Sequence, residues 1–138
     1  MPIKIMIVDD SRFMRLVLRG LLKSMDIDDT IEIIEAGDGS EAIQKYFKYH
    51  PHIVFLDIVM PNKSGLEVLN EIKSKDPNAK VIIISAVGHE ELVRKALKVG
   101  AIGYVVKPFH PDLLKELLHN ILRGATNASK ESQSTYCR

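Results

Sequence analysis

IKIMIVDD, residues 3–10, decides the fold of this chain, because a mostly apolar run ends abruptly in two acids. IVFLD, residues 53–57, repeats the pattern further along. Uninterrupted apolar runs are typical of strands buried on both faces, and hence of a parallel sheet. A carboxylate at the end of such a strand is costly unless it is paired or bound to a metal. It also faces the crevice where open α/β sheets bind ligands, so Asp9, Asp10 and Asp57 are candidate functional residues.

Short runs rich in Ile and Val alternate along the chain with stretches of helical period. Five strand–helix pairs in succession predict an α/β fold, doubly wound, with a five-stranded parallel sheet and helices on both faces. The strands are predicted at Ile3–Val8, Ile31–Glu35, Ile53–Leu56, Val81–Ile84 and Tyr104–Val106.

The starts of three helices are marked by residues that cap or begin helices. Ser64 and Asp38 each precede a glutamate by three positions, at Glu67 and Glu41, which is the pattern of an N-cap with an acid at the third helical position. Pro111 suits the first turn of the last helix. Two helices are predicted with both bounds, at Glu90–Val99 and Pro111–Leu122.

At 138 residues the chain has the length of one domain. Lys and Arg number 19 against 18 Asp and Glu, a net charge of +1. Because there is no basic excess and no basic stripe with aromatic residues, nucleic acid is not an expected partner. The polar residues at the end have no apolar period, so we expect a folded domain over 1–123 and a flexible polar tail over 124–138, unless that tail begins a linker.

The single cysteine, Cys137, allows neither an intrachain disulfide nor a zinc-binding spacing. The first apolar run is short and ends in acids, which is not the pattern of a signal peptide. No segment has the roughly 20 apolar residues that cross a bilayer. We therefore expect a cytoplasmic protein without membrane contact.

Every predicted strand except the second ends in a group suited to phosphate chemistry. The three acids would repel one another, and their hard oxygen ligands favour Mg²⁺ as the remedy. Ser85 follows the fourth strand, and Lys107 follows the fifth. Lys107 precedes Pro108, and a cis bond there would turn the ammonium inward. Together these groups describe a phosphoryl-transfer site, although the residues alone do not say which acid is the nucleophile.

Each of these residues also has an ordinary explanation when taken singly. One acid of the Asp9–Asp10 pair could cap the helix that begins near Ser11, and Ser85 could cap the fourth helix. A lysine leaving a strand, such as Lys107, is usually solvated. The combination, rather than any one residue, favours the phosphoryl-transfer interpretation.

These motifs resemble the receiver domains of two-component response regulators. The resemblance covers about residues 3–122 and is greatest to stand-alone chemotaxis regulators of the CheY type. It implies a flavodoxin-like sheet with the strand order 2-1-3-4-5. It rests on five motifs in order, namely Asp9-Asp10, Asp57, Met60-Pro61 with Gly65, Ser85-Ala86, and Tyr104-Val-Val-Lys107-Pro108-Phe109.

The resemblance implies that Asp57 accepts a phosphoryl group from the phosphohistidine of a CheA-like sensor kinase. Asp10, Asp57 and the main-chain carbonyl of Val59 would bind Mg²⁺ directly, and Asp9 would bind it through water. Ser85, with Ala86 beside it, and Lys107 would contact the phosphoryl oxygens.

The resemblance also implies a switch made of Ser85 and Tyr104. It would act on the face formed by the fourth helix, the fifth strand and the fifth helix, where a protein target docks. The implied protein is a monomer and no enzyme beyond its own phosphorylation and dephosphorylation. Val59 and Val87 are apolar where other receivers often carry polar residues near the attacking water, so we expect slow dephosphorylation.

Two other functions fit part of this pattern. The chain could be the receiver of another phosphorelay, or of a longer transcriptional regulator, for which the polar end is the only sign. A Mg²⁺-dependent phosphatase with an aspartyl nucleophile is the alternative from the enzyme class. Such enzymes usually have their nucleophile in an Asp-x-Asp motif and need a cap or substrate pocket. None of Asp9, Asp10 and Asp57 lies in such a motif, and no segment of the sequence indicates a cap.

Overall fold

The predicted strands form one parallel sheet in the computed structural model of the chain, which describes residues 2–25 and 30–124. The strand order is β2-β1-β3-β4-β5, as the resemblance implies, and the α/β doubly wound fold is confirmed. Residues 125–138, most of the predicted tail, lie outside the described residues, so the tail stays a prediction. The elements are β1 (Ile3–Val8), α1 (Arg12–Ser24), β2 (Ile31–Ala36), α2 (Gly39–Tyr49), β3 (Ile53–Asp57), α3 (Gly65–Lys75), β4 (Val81–Ser85), α4 (Glu90–Val99), β5 (Gly103–Val106) and α5 (Pro111–Leu122).

The sheet separates two apolar cores, and alternate residues of each central strand enter each one. In β1, Ile5 and Ile7 pack into the core shared with α1 and α5. Met6 and Val8 pack into the core shared with α2, α3 and α4. All four side chains are buried, which explains why the strand has no polar face in the sequence.

Four strands are one residue longer than predicted, and two of the four extra residues are functional candidates. The extra residues are Ala36 in β2, Asp57 in β3, Ser85 in β4 and Gly103 in β5. β3 includes Asp57, which is in register with Ile84 of β4. β4 includes Ser85, which is in register with Val106 of β5. The sheet therefore holds the main chain of both polar residues, rather than a loop. The bounds of α4 and α5 agree with the prediction.

The predicted helix starts are confirmed, but only the start of α3 has a reciprocal capping box, because Glu41 of α2 bonds to Gly37 and not to Asp38. Ser64 and Glu67 form a reciprocal capping box, with each side chain accepting from the other main-chain N–H at 3.2 and 3.1 Å. Asp38 caps α2 by accepting from the N–H of Glu41 at 2.8 Å. Glu41 instead accepts from the N–H of Gly37 at 2.8 Å, and its hydrogen bond with Lys45, followed by the one from Gly37, lowers the pKa of its carboxyl.

Within the described part of the chain, no helix is long and apolar enough to cross a membrane.

Candidate functional site

The carboxyl ends of β1 and β3, which are neighbours in the sheet, bring the three predicted acids together. Asp9 and Asp10 follow β1, and Asp57 is the last residue of β3. One carboxylate oxygen from each residue lies within 4.8 Å of those of the other two. Asp9 and Asp57 are buried, whereas Asp10 is exposed. The arrangement is a half-buried oxygen cluster that opens to solvent at Asp10.

Most polar atoms of Asp9 are held by neighbouring main chain. Its N–H donates to the carbonyl of Ala36 at 3.2 Å, and its Oδ1 accepts from the N–H of Ser11 at 2.9 Å. Ser11 itself is the N-cap of α1, accepting from the N–H of Met14 at 3.2 Å, so the acid pair does not cap that helix directly. The Oδ2 atom of Asp9 is buried and makes no hydrogen bond to any described residue. A buried carboxylate oxygen without a hydrogen bond is expensive, and this one is directed at the cluster.

Asp57 is harder to ionise than an ordinary aspartate. Its Oδ1 accepts from the N–H of Val59 at 3.1 Å, and its Oδ2 lies 3.6 Å from Lys107 Nζ. Burial, and then the charge of Asp9, raise the pKa of Asp57 to about 6, although the Val59 N–H and Lys107 act in the opposite direction. The ammonium of Lys107 therefore only partly offsets the burial and the Asp9 charge that disfavour the ionised form of Asp57.

Lys107 reaches the cluster from the end of β5. Its Nζ lies 3.3 Å from Asp9 Oδ2 as well as 3.6 Å from Asp57 Oδ2, and its main-chain N–H donates to the carbonyl of Ser85 at 2.8 Å. The Lys107–Pro108 peptide bond is cis. The interpretation of Lys107 as a solvated lysine is therefore wrong, because its side chain is only 26% exposed and ion-paired.

Ser85 lies at the end of β4 and does not cap α4. Its Oγ donates to the carbonyl of Ala86 at 3.0 Å, and the residue before α4 is His89. Ser85 is buried and lines a cavity of about 250 Å³ together with Tyr104 and residues of α4. Tyr104 is buried too, so both predicted switch residues share one cavity.

The loop after β3 passes so close to the strand that only glycine fits at its end. The N–H of Gly65 donates to the carbonyl of Ile58 at 3.1 Å. A Cβ at Gly65 would lie 2.2 Å from the carbonyl oxygen of Asp57, a main-chain atom that cannot move aside. The sequence marks this glycine only as part of a motif, and its physical reason appears once the loop is folded.

The donor set fits a hard divalent cation. All donors are carboxylate oxygens, one of them buried without a hydrogen bond. Three carboxylates meet one ion-paired ammonium among the described residues, so negative charge is in excess. Mg²⁺ prefers such oxygen ligands and commonly retains waters that a phosphate can replace. The direct or water-mediated role predicted for each acid, and for the carbonyl of Val59, stays a prediction.

A doubly wound sheet with acids, a hydroxyl and a lysine at adjacent strand ends defines a phosphorylatable signalling switch. The chain belongs to the response regulator receiver domain family, whose model matches residues 5–119. It is 45% identical over 116 residues to chemotaxis protein CheY of Listeria monocytogenes, covering 84% of this chain and 95% of that protein. It is 40% identical to chemotaxis protein CheY of Halobacterium salinarum, covering 86% and 96%.

Solved structures share the fold as well. The receiver domain of NtrX from Brucella abortus is 31% identical with a TM-score of 0.79, covering 86% of this chain and 98% of that one. The CheX–CheY–BeF3–Mg²⁺ complex from Borrelia burgdorferi contains a chain 36% identical with a TM-score of 0.74, covering 87% and 89%. The chain is also 34% identical to the nitrate/nitrite response regulator NarL of Escherichia coli, of which it spans only 56%.

Replacement by alanine should change the free energy of unfolding in opposite directions at Gly65, where main chain lies close, and at Gly20, where space is open. Gly65→Ala should lower the free energy of unfolding by roughly 2 kcal/mol or more, because the new methyl group meets main chain. Gly20→Ala, in α1 where a Cβ meets nothing, should raise it by roughly 0.5–1 kcal/mol. Urea unfolding of both variants checks this. Equal midpoints for Gly65→Ala and the wild type would show that the loop does not pass as described.

The raised pKa of Asp57 predicts how stability depends on pH without Mg²⁺. The pKa of Asp57 is about 6 in the folded state, above the ordinary 3.8. The contribution of Asp57 to the free energy of unfolding is therefore greatest below pH 4 and is lost as pH rises through 6. Asp57→Asn removes the ionisable group and so avoids this loss. The free energy of unfolding of Asp57→Asn should therefore exceed that of the wild type by an amount that grows from pH 5 to pH 8, towards an order of 2 kcal/mol.

Urea unfolding in a chelating buffer at each pH measures the difference between Asp57→Asn and the wild type. Excess Mg²⁺ should shrink the gain at pH 8, because the cation neutralises the wild-type cluster. A gain of equal size at pH 5 and pH 8 would contradict the assigned charge state.

Proposed function

We propose that Asp57 accepts a phosphoryl group from the phosphohistidine of a CheA-like sensor kinase and that the phosphorylated protein signals to a protein target in chemotaxis. The observation that carries this proposal is the convergence of buried Asp9 and Asp57 on the ammonium of Lys107. Asp57 has no acidic sequence neighbour, and the N–H of Val59 fixes its Oδ1. Its Oδ2, beside the ammonium, is the oxygen placed for attack.

In the proposed transfer, an Asp57 oxygen forms a bond to phosphorus while the bond from phosphorus to the donor imidazole nitrogen breaks, and the electron pair returns to the imidazole. The attack requires the ionised carboxylate, which burial disfavours. Bound Mg²⁺ would supply positive charge to the carboxylates and the phosphoryl oxygens. Lys107 would pair with those oxygens, and the Ser85 hydroxyl, with Ala86 beside it, would contact them as well.

The cavity between β4, β5 and α4 supports the proposed switch. Ser85 and Tyr104 line it together with Glu90, Val93 and other α4 residues. In the proposed switch, the Ser85 hydroxyl exchanges its hydrogen bond to Ala86 for one to the phosphoryl group. This movement would open space in the cavity, into which Tyr104 could turn. The change would bias the α4–β5–α5 face, where we place the target. The proposal also places the protein in the cytoplasm as a monomer.

The proposed role in chemotaxis rests on relatives named CheY that are 37–45% identical over nearly their whole length. The matches to NarL and NtrX favour a second candidate, a receiver acting in another response regulator pathway. Chemotaxis genes beside the coding sequence, and transfer from a purified CheA-like kinase, would favour the first. Transfer only from a different sensor kinase would favour the second.

Acetyl phosphate with Mg²⁺ should add one phosphoryl mass to the protein, because a small donor needs only the assembled site. Intact mass spectrometry measures the addition. Asp57→Asn should abolish it, whereas Asp112→Asn, which changes an exposed acid on α5, should leave it intact. No added mass, or mass that persists in Asp57→Asn, would overturn the proposed acceptor.

The apolar side chain of Val59 predicts a slow loss of the phosphoryl group by hydrolysis. Val59 is 47% exposed and lies two residues after the end of β3, where an amide could orient the attacking water. Val59→Asn should therefore shorten the acyl-phosphate lifetime several-fold, and Val59→Ala should not. Loss of the phosphoryl mass over time measures both, and equal lifetimes for Val59→Asn and the wild type would contradict the idea.

A further inference from the structure

Arg15 of α1 reaches back from the helix to the loop that carries the acid pair. Its Nη1 donates to the main-chain carbonyl of Asp9 at 2.6 Å, and its Nε donates to Glu35 Oε1 at 2.9 Å. The side chain is only 17% exposed. Arg19, one turn later on the same helix, is the natural comparison, because it pairs with Glu35 Oε2 at 3.0 Å and is 45% exposed.

The bond to the Asp9 carbonyl fixes the peptide unit between the two acids. A peptide unit is planar, so holding the carbonyl of Asp9 also fixes the direction in which the chain enters Asp10. The N–H of Asp9 is held by Ala36, and its Oδ1 is held by Ser11. The guanidinium therefore completes the set of contacts that leaves Asp9 Oδ2 directed at the cluster.

Glu35 holds the guanidinium in place from the neighbouring strand. It lies in β2, where its main chain is in register with Ile7 of β1, next to the Asp9–Asp10 segment. An arginine fork bound to a carboxylate on one side and a carbonyl on the other loses much of its rotational freedom. Arg15 therefore links the Asp9–Asp10 segment, here called the acid loop, to β2.

We propose that Arg15, oriented by Glu35, is a positioning residue of the metal site, and that it fixes the Asp9–Asp10 peptide so that both carboxylates face Asp57. This rests on the proposed function, in which the cluster binds Mg²⁺. Arg15 acts through Asp9 and does not itself touch the ion. Groups that orient metal ligands in this way typically change metal affinity by about 10–100-fold when removed.

Charge and positioning predict opposite signs for the same substitution. Arg15 is a cation beside a cation site, so its charge alone disfavours Mg²⁺, and its removal would tighten binding. If Arg15 positions the acid loop, its removal loosens binding instead. The direction of the change in Mg²⁺ dissociation constant therefore separates the two roles.

Isothermal titration calorimetry of the full chain with MgCl2 tests the proposal. Arg15→Gln should weaken Mg²⁺ binding by roughly tenfold. Arg19→Gln is the matched control, because it removes one positive charge and one contact with Glu35 but none with Asp9. It should leave the dissociation constant unchanged or slightly tighter. Arg15→Lys, which keeps the charge but lacks the fork, should weaken binding as well.

Amide hydrogen exchange supplies a readout that does not depend on the metal. The N–H of Ser11, which donates to Asp9, should exchange faster in Arg15→Gln than in Arg19→Gln. Unchanged or tighter Mg²⁺ binding in Arg15→Gln, with a wild type that binds Mg²⁺ and is phosphorylated, would overturn the positioning role alone. A wild type that binds no Mg²⁺ would overturn the proposed function and, with it, this inference.

Discussion

The crowding of Asp9, Asp10 and Asp57 against Lys107 is the constraint on which the rest of the site depends. Burial, and then repulsion from Asp9, disfavour the ionised form of Asp57 and raise its pKa to about 6. Main-chain N–H groups of Ser11 and Val59 nevertheless hold carboxylate oxygens in place. The folded protein therefore keeps an unfavourable cluster of charge at one edge of its sheet, which a bound cation would relieve and a phosphoryl group would alter.

The sheet can hold this cluster because its strands are buried on both sides. The side chains of β1 and β3 pack into both cores. Asp57 still pairs with β4, in register with Ile84, so its main chain is part of the sheet. The proposed acceptor is thus held by the sheet between the two cores. The Ser85 hydroxyl, in contrast, lies beside a cavity and makes one hydrogen bond, to the main-chain carbonyl of Ala86. In the proposed switch, an acceptor held in the sheet lies near a hydroxyl that can exchange its one hydrogen bond, and a charge change at the acceptor would be passed to α4.

Much of this could be predicted from the sequence, because apolar runs fix the strands and polar residues mark where the strands end. The strand order depended on the family resemblance, since periodicity does not say which strands are neighbours. The exact ends of β3 and β4 were missed, because Asp57 and Ser85 are polar and yet pair within the sheet. Arg15 could not be found either. In sequence it is one more basic residue of an amphipathic helix, and its partners Asp9 and Glu35 become its neighbours only when β1 and β2 pair.

We propose that the acids, Ser85 and Lys107 form one site for a metal ion and a phosphoryl group on Asp57. A crystal structure of the protein with Mg²⁺ and beryllium trifluoride, a phosphoryl analogue, tests it most directly. We expect the analogue on a carboxylate oxygen of Asp57, contacted by Lys107 and by the Ser85 hydroxyl, with Mg²⁺ among the three acids. An analogue bound at another residue, or Mg²⁺ outside the acid cluster, would contradict the account.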